Sequence, residues 1–127
     1  MNIVDTSAWL EYFSDSPNAK HFSSVIENTD QLIVPVICLY EVFKKILQER
    51  DEHCALQAVG LMNQGQIIPL DVSLALSAAK ISTELKLPMA DSIVLATARS
   101  VNGTVWTQDA DFKSLSGVKF FPKASEK

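Results

Sequence analysis

Short apolar runs alternate along this chain with longer stretches that have helical periodicity. Runs of three or four residues rich in β-branched and aromatic side chains are typical of buried strands. Parallel strands need a long crossover connection, usually a helix, so this alternation predicts an α/β protein with a parallel sheet and helices on both faces. The predicted strands are Asn2–Val4, Leu32–Val34, Ile67–Pro69, Thr104–Trp106 and Val118–Phe120.

Capping residues and prolines delimit the stretches between these strands. Pro35 and Pro88 stand where a helix can begin, and Asn102–Gly103 stands where one can end. The predicted helices run from Thr6 or Ser7 to Phe13, from Asn18 to Asn28, from Pro35 onwards, from Glu52 to Asn63, from Ser73 to Leu85 and from Pro88 to Asn102–Gly103.

The helix after Pro35 has a regular apolar pattern. Its apolar positions recur at intervals of three and four residues, which predicts one core-facing stripe. That stripe consists of Val36, Leu39, Tyr40, Phe43 and Leu47. Tyr12 and Phe13 are also predicted to be core residues, together with Tyr40 and Phe43. An apolar surface for a protein partner is the alternative for these four aromatic residues.

Length and composition favour one globular domain without a membrane span. The 127 residues are 47% hydrophobic and 20% charged, which suits a single domain with a real core. We predict that this domain covers residues 1–122 and that residues 123–127 form a polar tail. No apolar stretch is long enough to cross a membrane, and the N-terminus lacks the pattern of a signal peptide. A cytoplasmic location is therefore expected.

The composition limits the kinds of metal and partner. Cys38, Cys54, His21 and His53 are isolated in sequence, so zinc is disfavoured and a bound metal would be a hard cation on oxygen ligands. The net charge of −4 argues by itself against a nucleic-acid partner. A cation bound to acidic residues would change the local sign of that charge. Phosphate contacts could then come from basic residues, with a solvated surface role as the alternative for each: Lys44, Lys45, Arg50, Arg99, Lys113 and Lys119.

Several carboxylates stand where the chain changes direction. Asp5 and Asp109 follow predicted strands, and ligands of open α/β sheets bind outside the carboxyl ends of strands. Glu41 interrupts a long apolar run, and Asp91 lies in the first turn of a helix after Pro88. If folding gathers these acids, they repel one another unless a cation joins them. They are therefore candidate ligands of one metal site.

Each acid also has a structural alternative. Asp5 could cap the helix that follows it, and Asp91 could interact with its helix dipole. Glu41 could pair with Lys44 or Lys45. Asp109 and Asp111 could shape a turn, although one of the two is expected to bind the metal, and Asp109 lies nearer the strand end. Thr6 or Ser7 could hold the Asp5 carboxylate.

At these positions the chain resembles the PIN-domain ribonucleases, specifically the VapC-like toxins of type II toxin–antitoxin systems. Four segments are similar to the family's four motifs, in chain order: IVDTSAWLEYF, VPVICLYEV, LPMADSIVLATA and VWTQDADF. The resemblance extends from Asn2 to about Phe121. It implies a PIN-like fold with a mostly parallel five-stranded sheet flanked by helices. Residues 1–122 would then form a PIN-like nuclease domain.

The resemblance also implies roles for individual residues. Catalytic and metal-binding positions would be Asp5, Glu41, Asp91 and Asp109, with Asp111 as a further candidate and Thr6 or Ser7 in support. They would hold one or two Mg²⁺ or Mn²⁺ ions. The implied activity is endonucleolytic hydrolysis of RNA, with a structured RNA such as tRNA as the expected substrate. A cognate antitoxin would block the site, and a homodimer is expected.

Two other functions are consistent with parts of the pattern. A PIN-like domain could bind RNA or protein without cleaving either. A receiver-like signalling domain also places acids at strand ends and binds Mg²⁺. However, the lysine expected after its last strand has no plausible counterpart, and only Asp71 could act as the phosphate acceptor. A haloacid-dehalogenase-like phosphatase needs DxDxT at the first strand, which Asp5-Thr6-Ser7 does not provide.

Overall fold

In a computed structural model, residues 1–124 fold around a five-stranded sheet. The strands are β1 (Asn2–Val4), β2 (Leu32–Pro35), β3 (Gln66–Ile68), β4 (Thr104–Thr107) and β5 (Val118–Phe120). The helices are α1 (Thr6–Phe13), α2 (Ala19–Glu27), α3 (Val36–Glu49), α4 (Glu52–Met62), α5 (Val72–Leu85) and α6 (Met89–Ser100). Short 3₁₀ helices span Thr29–Gln31 and Ala110–Phe112.

All the strand pairs are parallel, in the order β3-β2-β1-β4-β5. The chain first adds strands on one side of β1 and then crosses to the other side to form β4. The order therefore reverses at β1, and the crevice at a reversal point is where ligands of such sheets bind. The α/β prediction is confirmed, and Asp5 and Asp109, which the sequence predicts to belong to a site, follow the two strands that meet at this reversal.

Several predicted element boundaries differ from the structure by one to three residues, and two of these differences have a clear physical cause. Strand β3 ends at Ile68 and does not include Pro69, which has no backbone N–H to contribute to a ladder. Helix α5 begins earlier than Ser73, because the Asp71 carboxylate accepts a hydrogen bond from the Leu74 backbone N–H at 2.9 Å and caps the helix. Of the predicted tail, Lys123 and Ala124 are exposed, and residues 125–127 lie outside the described part.

The predicted core stripe of α3 is wrong at three of its five positions, whereas Leu39 packs against the core as predicted and Phe43 is half-buried. Val36, Tyr40 and Leu47 are exposed, whereas Cys38 and Val42 are the buried residues of this helix. Cys38 lies against β1, with its Sγ 3.9 Å from the Val4 carbonyl oxygen. The helix is therefore turned so that its smaller apolar side chains face the sheet. Tyr12 and Phe13 do pack against the core, as predicted.

Helix α6 is the most deeply buried helix among the described residues. Every residue from Ser92 to Ala98 is buried, and the helix contacts β1, β2 and β4. Such all-round burial matches its nearly unbroken run of small and apolar residues. Because the interior of the helix is fixed by packing, the position of Asp91 in its first turn is fixed as well. No helix in the described range 1–124 is long and apolar enough to span a membrane.

Candidate active site

Asp5 lies at the junction of β1 and α1 and is 2% exposed. It caps α1, since one carboxylate oxygen, Oδ1, accepts a hydrogen bond from the Ala8 backbone N–H at 3.0 Å. The same oxygen accepts from the Ser7 hydroxyl at 2.8 Å. The expected capping role is therefore present together with the predicted support from Ser7. Capping occupies only part of the carboxylate's hydrogen-bonding capacity.

The other oxygen of Asp5 is held from β4. The Thr107 hydroxyl donates to Asp5 Oδ2 at 2.8 Å and accepts from the Asp109 backbone N–H at 2.8 Å. A hydroxyl has one proton to donate, and here that proton is directed at Asp5. Thr107 is fully buried and joins the ends of the neighbouring strands β1 and β4. It sets the orientation of Asp5 and the backbone position of Asp109 together.

Glu41 is tied to α1 and not to a lysine. The Thr6 hydroxyl donates to Glu41 Oε1 at 2.6 Å. The predicted alternative, an ion pair of Glu41 with Lys44 or Lys45, is absent among the described residues, and Lys45 pairs instead with Glu49 at 3.0 Å. Glu41 is therefore a carboxylate without a neutralising cation of its own.

The remaining acids form a close group. One carboxylate oxygen each of Asp91, Asp109 and Asp111 lies within 4.8 Å of the others. Asp91 comes from the first turn of α6. Asp109 caps the 3₁₀ helix that follows β4, accepting from the Asp111 backbone N–H at 2.9 Å. This cap brings the two acids of the last segment to the same side, so the structure includes both in the group.

The electrostatics of these acids are unfavourable without a cation. Burial raises the pKa of Asp5 to about 6, against the lowering effect of its hydrogen bonds to Thr107, Ala8 and Ser7. Burial also raises the pKa of Asp91 to about 7, and repulsion from Asp109 adds to this effect. Carboxyl groups whose pKa values are raised in this way are stabilised in their charged form when a cation binds beside them.

Asp5 and Glu41 lie beside this group without being members of it. Glu41 is linked to Asp5 through Thr6, which directly follows Asp5 and donates to Glu41 Oε1. Burial raises the pKa of the Cys38 thiol, and the charges of Asp5, Glu41 and Asp91 add to this effect. Asp5 and Asp91 also interact with each other. The four acids named from the sequence, with Asp111, therefore surround one region at the carboxyl ends of β1, β2 and β4.

A polar network outside this region supports the segment between Thr107 and Asp109. The Gln108 side chain donates to Glu11 Oε1 at 3.0 Å and accepts from Asn18 Nδ2 at 2.9 Å. Asn18 Nδ2 also donates to the Pro122 carbonyl oxygen at 2.9 Å. The network joins α1, the start of α2 and the end of β5. The sequence does not predict this network, because its members are up to 104 residues apart and carry no local signal.

Two cavities lie along α1 and α3. The larger has a volume of about 590 Å³, and its lining includes Leu10, Phe13 and Ile46 together with Ser7 and Gln108. The smaller has a volume of about 260 Å³ and is lined in part by Thr6 and Glu41. Both cavities therefore share residues with the hydrogen-bonded surroundings of the acids.

The model of the PIN domain family matches residues 3–118. The chain belongs to the PIN domain family. The matched residues include the carboxyl ends of β1 and β4 and all five acids of the candidate site. It leaves the receiver-like alternative without support.

Several solved structures have the same fold as this protein. A toxin–antitoxin complex from Klebsiella pneumoniae aligns with a TM-score of 0.81 and 23% identity over 97% of this chain and 100% of the matched chain. Mycobacterium tuberculosis VapC20, described as a sarcin–ricin loop cleaving toxin, aligns with a TM-score of 0.77 and 14% identity over 93% and 97%. A DNA-bound VapBC from Salmonella typhimurium aligns with a TM-score of 0.73 and 17% identity over 95% and 96%. Comparison with curated protein sequences gives no match.

Proposed function

We propose that this PIN domain is a metal-dependent endoribonuclease and acts as a VapC-like toxin. The observation that carries the proposal is the close group of Asp91, Asp109 and Asp111 carboxylates, with Asp5 and Glu41 beside it. No described lysine or arginine forms a salt bridge with any of these acids. The group therefore has the charge and the geometry to take a cation.

The residues present fit Mg²⁺ or Mn²⁺. All the donors are carboxylate oxygens, which these hard cations prefer, and no described histidine or cysteine belongs to the group. Asp5, Glu41, Asp91 and Asp109 would hold one or two ions, with Asp111 as a further ligand. When bound, such an ion supplies Lewis-acid chemistry, activating water and stabilising the charge that develops on a phosphate.

The protein's own contribution is to position these ligands. Ser7, Thr107 and the Ala8 backbone N–H hold both oxygens of Asp5. Thr6 holds one oxygen of Glu41 and leaves the other available. Hydrogen bonds of this kind orient metal ligands, and their loss typically costs about 10- to 100-fold in metal affinity or activity.

The neighbouring structures support the biological part of the proposal. A relative described as cleaving the sarcin–ricin loop favours RNA cleavage as the activity, and we infer a structured RNA, such as tRNA, as the substrate. Neighbours that are toxin–antitoxin complexes favour a cognate antitoxin that blocks the site. We also propose a homodimer, located in the cytoplasm, in which residues 1–122 form the nuclease domain.

Incubation of the purified protein with total RNA tests the activity directly. Mg²⁺ or Mn²⁺ is expected to support cleavage at discrete positions, and EDTA is expected to abolish it. Mapping the cut ends identifies the substrate. RNA that binds but stays intact in the presence of either metal would support the non-catalytic alternative and contradict the nuclease assignment.

Asp111 is expected to contribute less to metal binding than Asp109. Asp109 is half-buried, whereas Asp111 is exposed, so water and salt screen the charge of Asp111 more strongly. We expect Asp111→Asn to weaken Mn²⁺ binding about tenfold and Asp109→Asn to weaken it more, as measured by titration calorimetry. Asp30→Asn is a matched control, because Asp30 is an exposed acid in the other 3₁₀ helix. A larger loss of Mn²⁺ affinity in Asp111→Asn than in Asp109→Asn would contradict the prediction that Asp109 contributes more to metal binding.

A further inference from the structure

The smaller cavity lies directly beside Glu41. Its lining is Thr6, Leu10, Tyr40, Glu41, Lys44, Lys45 and Gln48. Thr6 and Glu41 are hydrogen-bonded to each other, so one wall of the cavity is part of the candidate active site. Of the other α3 residues in the lining, Tyr40 directly precedes Glu41, and Lys44, Lys45 and Gln48 lie one or two turns further along the helix. A group bound in this cavity would touch a residue that borders the acids.

Tyr40 is the most exposed aromatic side chain in this region. It is 60% exposed, although aromatic rings gain more from burial than most side chains. The Lys44 ammonium lies 5.7 Å from the centre of its ring. The ring therefore projects from α3 beside the acid site, next to a positive charge.

The two lysines of the cavity differ in their partners. Lys45 forms a salt bridge with Glu49, with 3.0 Å between Nζ and Oε2. Lys44 forms no salt bridge with any residue in the range 1–124. Its charge is therefore available to a ligand, and it lies one helical turn from Glu41. In a protein of net charge −4, a positive charge at this place favours the approach of a phosphate group.

We propose that Tyr40 and Lys44 form a nucleotide subsite next to the acids. The subsite deepens the proposed function and rests on it. The Tyr40 ring would stack on an unpaired base of the RNA, and the Lys44 ammonium would bind a neighbouring phosphate. Aromatic stacking combined with a cation is a general way to bind single-stranded segments.

The lining favours a nucleotide over a protein side chain. Leu10 is its only aliphatic residue, and five of the seven lining residues are polar or charged. Anchor residues of protein partners prefer pockets that exclude water, whereas this cavity is lined by two lysines, a glutamate, a threonine and a glutamine. A base stacked on a ring, with its phosphate beside an ammonium, matches this mixture.

The test separates substrate binding from chemistry. The variants are Tyr40→Ala, Tyr40→Trp and Lys44→Ala, and Leu76→Ala is the control, because Leu76 is 64% exposed on α5 and does not line the cavity. On an RNA that the parent cleaves, Tyr40→Ala is expected to raise KM about tenfold with kcat within about twofold of the parent. Tyr40→Trp is expected to restore KM. Lys44→Ala is expected to raise KM and to reduce by about one the slope of the logarithm of the RNA-binding constant against the logarithm of salt concentration.

A binding measurement keeps this test independent of the proposed activity. Fluorescence anisotropy of a short labelled single-stranded RNA, with Ca²⁺ to limit turnover, gives Kd for each variant. If the parent binds this RNA but does not cleave any RNA, the nuclease proposal fails, and a Kd raised by Tyr40→Ala still supports the subsite. An unchanged Kd and KM in both Tyr40→Ala and Lys44→Ala would overturn it. A changed oligomeric state with unchanged RNA binding would assign Tyr40 to a protein interface and also overturn it.

Discussion

The Asp5→Asn variant is expected to lose RNA cleavage and keep the parent fold. The substitution preserves shape, and the remaining side-chain oxygen can still accept from the Ala8 N–H that caps α1. It removes the charge of a buried carboxylate and places an amide in the site. We expect a loss of about a thousandfold or more in cleavage rate, which corresponds to about 4 kcal/mol of transition-state stabilisation.

Asp71→Asn provides a matched control for this variant. Asp71 caps α5 through the Leu74 backbone N–H at 2.9 Å, the same type of contact that Asp5 makes with Ala8. Asp71 is exposed and is not part of the acid group. Its variant should cleave RNA at the parent rate. Circular dichroism and melting curves establish that both variants are folded. Parent-like cleavage by folded Asp5→Asn would contradict the role of Asp5.

The positions of Asp5 and Asp109 were predictable because topology fixes them. Alternating strands and helices imply a parallel sheet, and the residues after parallel strands meet at one edge. The sequence needs no contact information for this conclusion. By contrast, Thr107 was not predictable as the group that joins Asp5 and Asp109, since threonine is a common strand residue and its partner Asp5 is 102 residues away.

Periodicity was a poor guide to α3 for a physical reason. Apolar residues occur on more than one face of this helix, so the sequence defines several possible stripes. Packing selects the stripe with Cys38 and Val42, which lets the helix approach β1 closely. The same rotation leaves Tyr40 exposed and places Glu41 beside Thr6. One rotation of the helix therefore explains both why Tyr40 is exposed, contrary to the prediction, and why Glu41 lies at the candidate site.

Mg²⁺ or Mn²⁺ is expected to raise the melting temperature of the protein. A cation relieves repulsion between the carboxylates only where folding has gathered them, so it binds the folded state preferentially. At a metal concentration ten times Kd, the gain is about 1.4 kcal/mol, or about 5 °C for a domain of this size. Differential scanning fluorimetry measures the shift. If added metal leaves the melting temperature of Asp91→Asn unchanged but raises that of the parent, the cation binds at the acid group. If added metal leaves the melting temperature of the parent unchanged, the metal site is contradicted.

The effect of metal should also depend on pH, with a sign that the raised pKa values set. Asp5 and Asp91 have pKa values of about 6 and 7 in the folded protein, compared with about 3.9 for an unfolded aspartate. Between these values the folded state holds protons that the unfolded chain has released, so the stability of the EDTA-treated protein falls as pH rises from about 4 to 7.

Metal should reverse this trend, because it competes with protons for the same oxygens. The metal-induced shift in melting temperature is therefore expected to be larger at about pH 8 than at about pH 5. Other groups also titrate in this range, so the comparison that isolates these two acids is between the parent and the double variant Asp5→Asn, Asp91→Asn. In EDTA, this variant should lose the downward slope, since its amides do not titrate. An identical pH slope in the parent and the double variant would show that the two carboxyl groups do not hold protons in the folded protein.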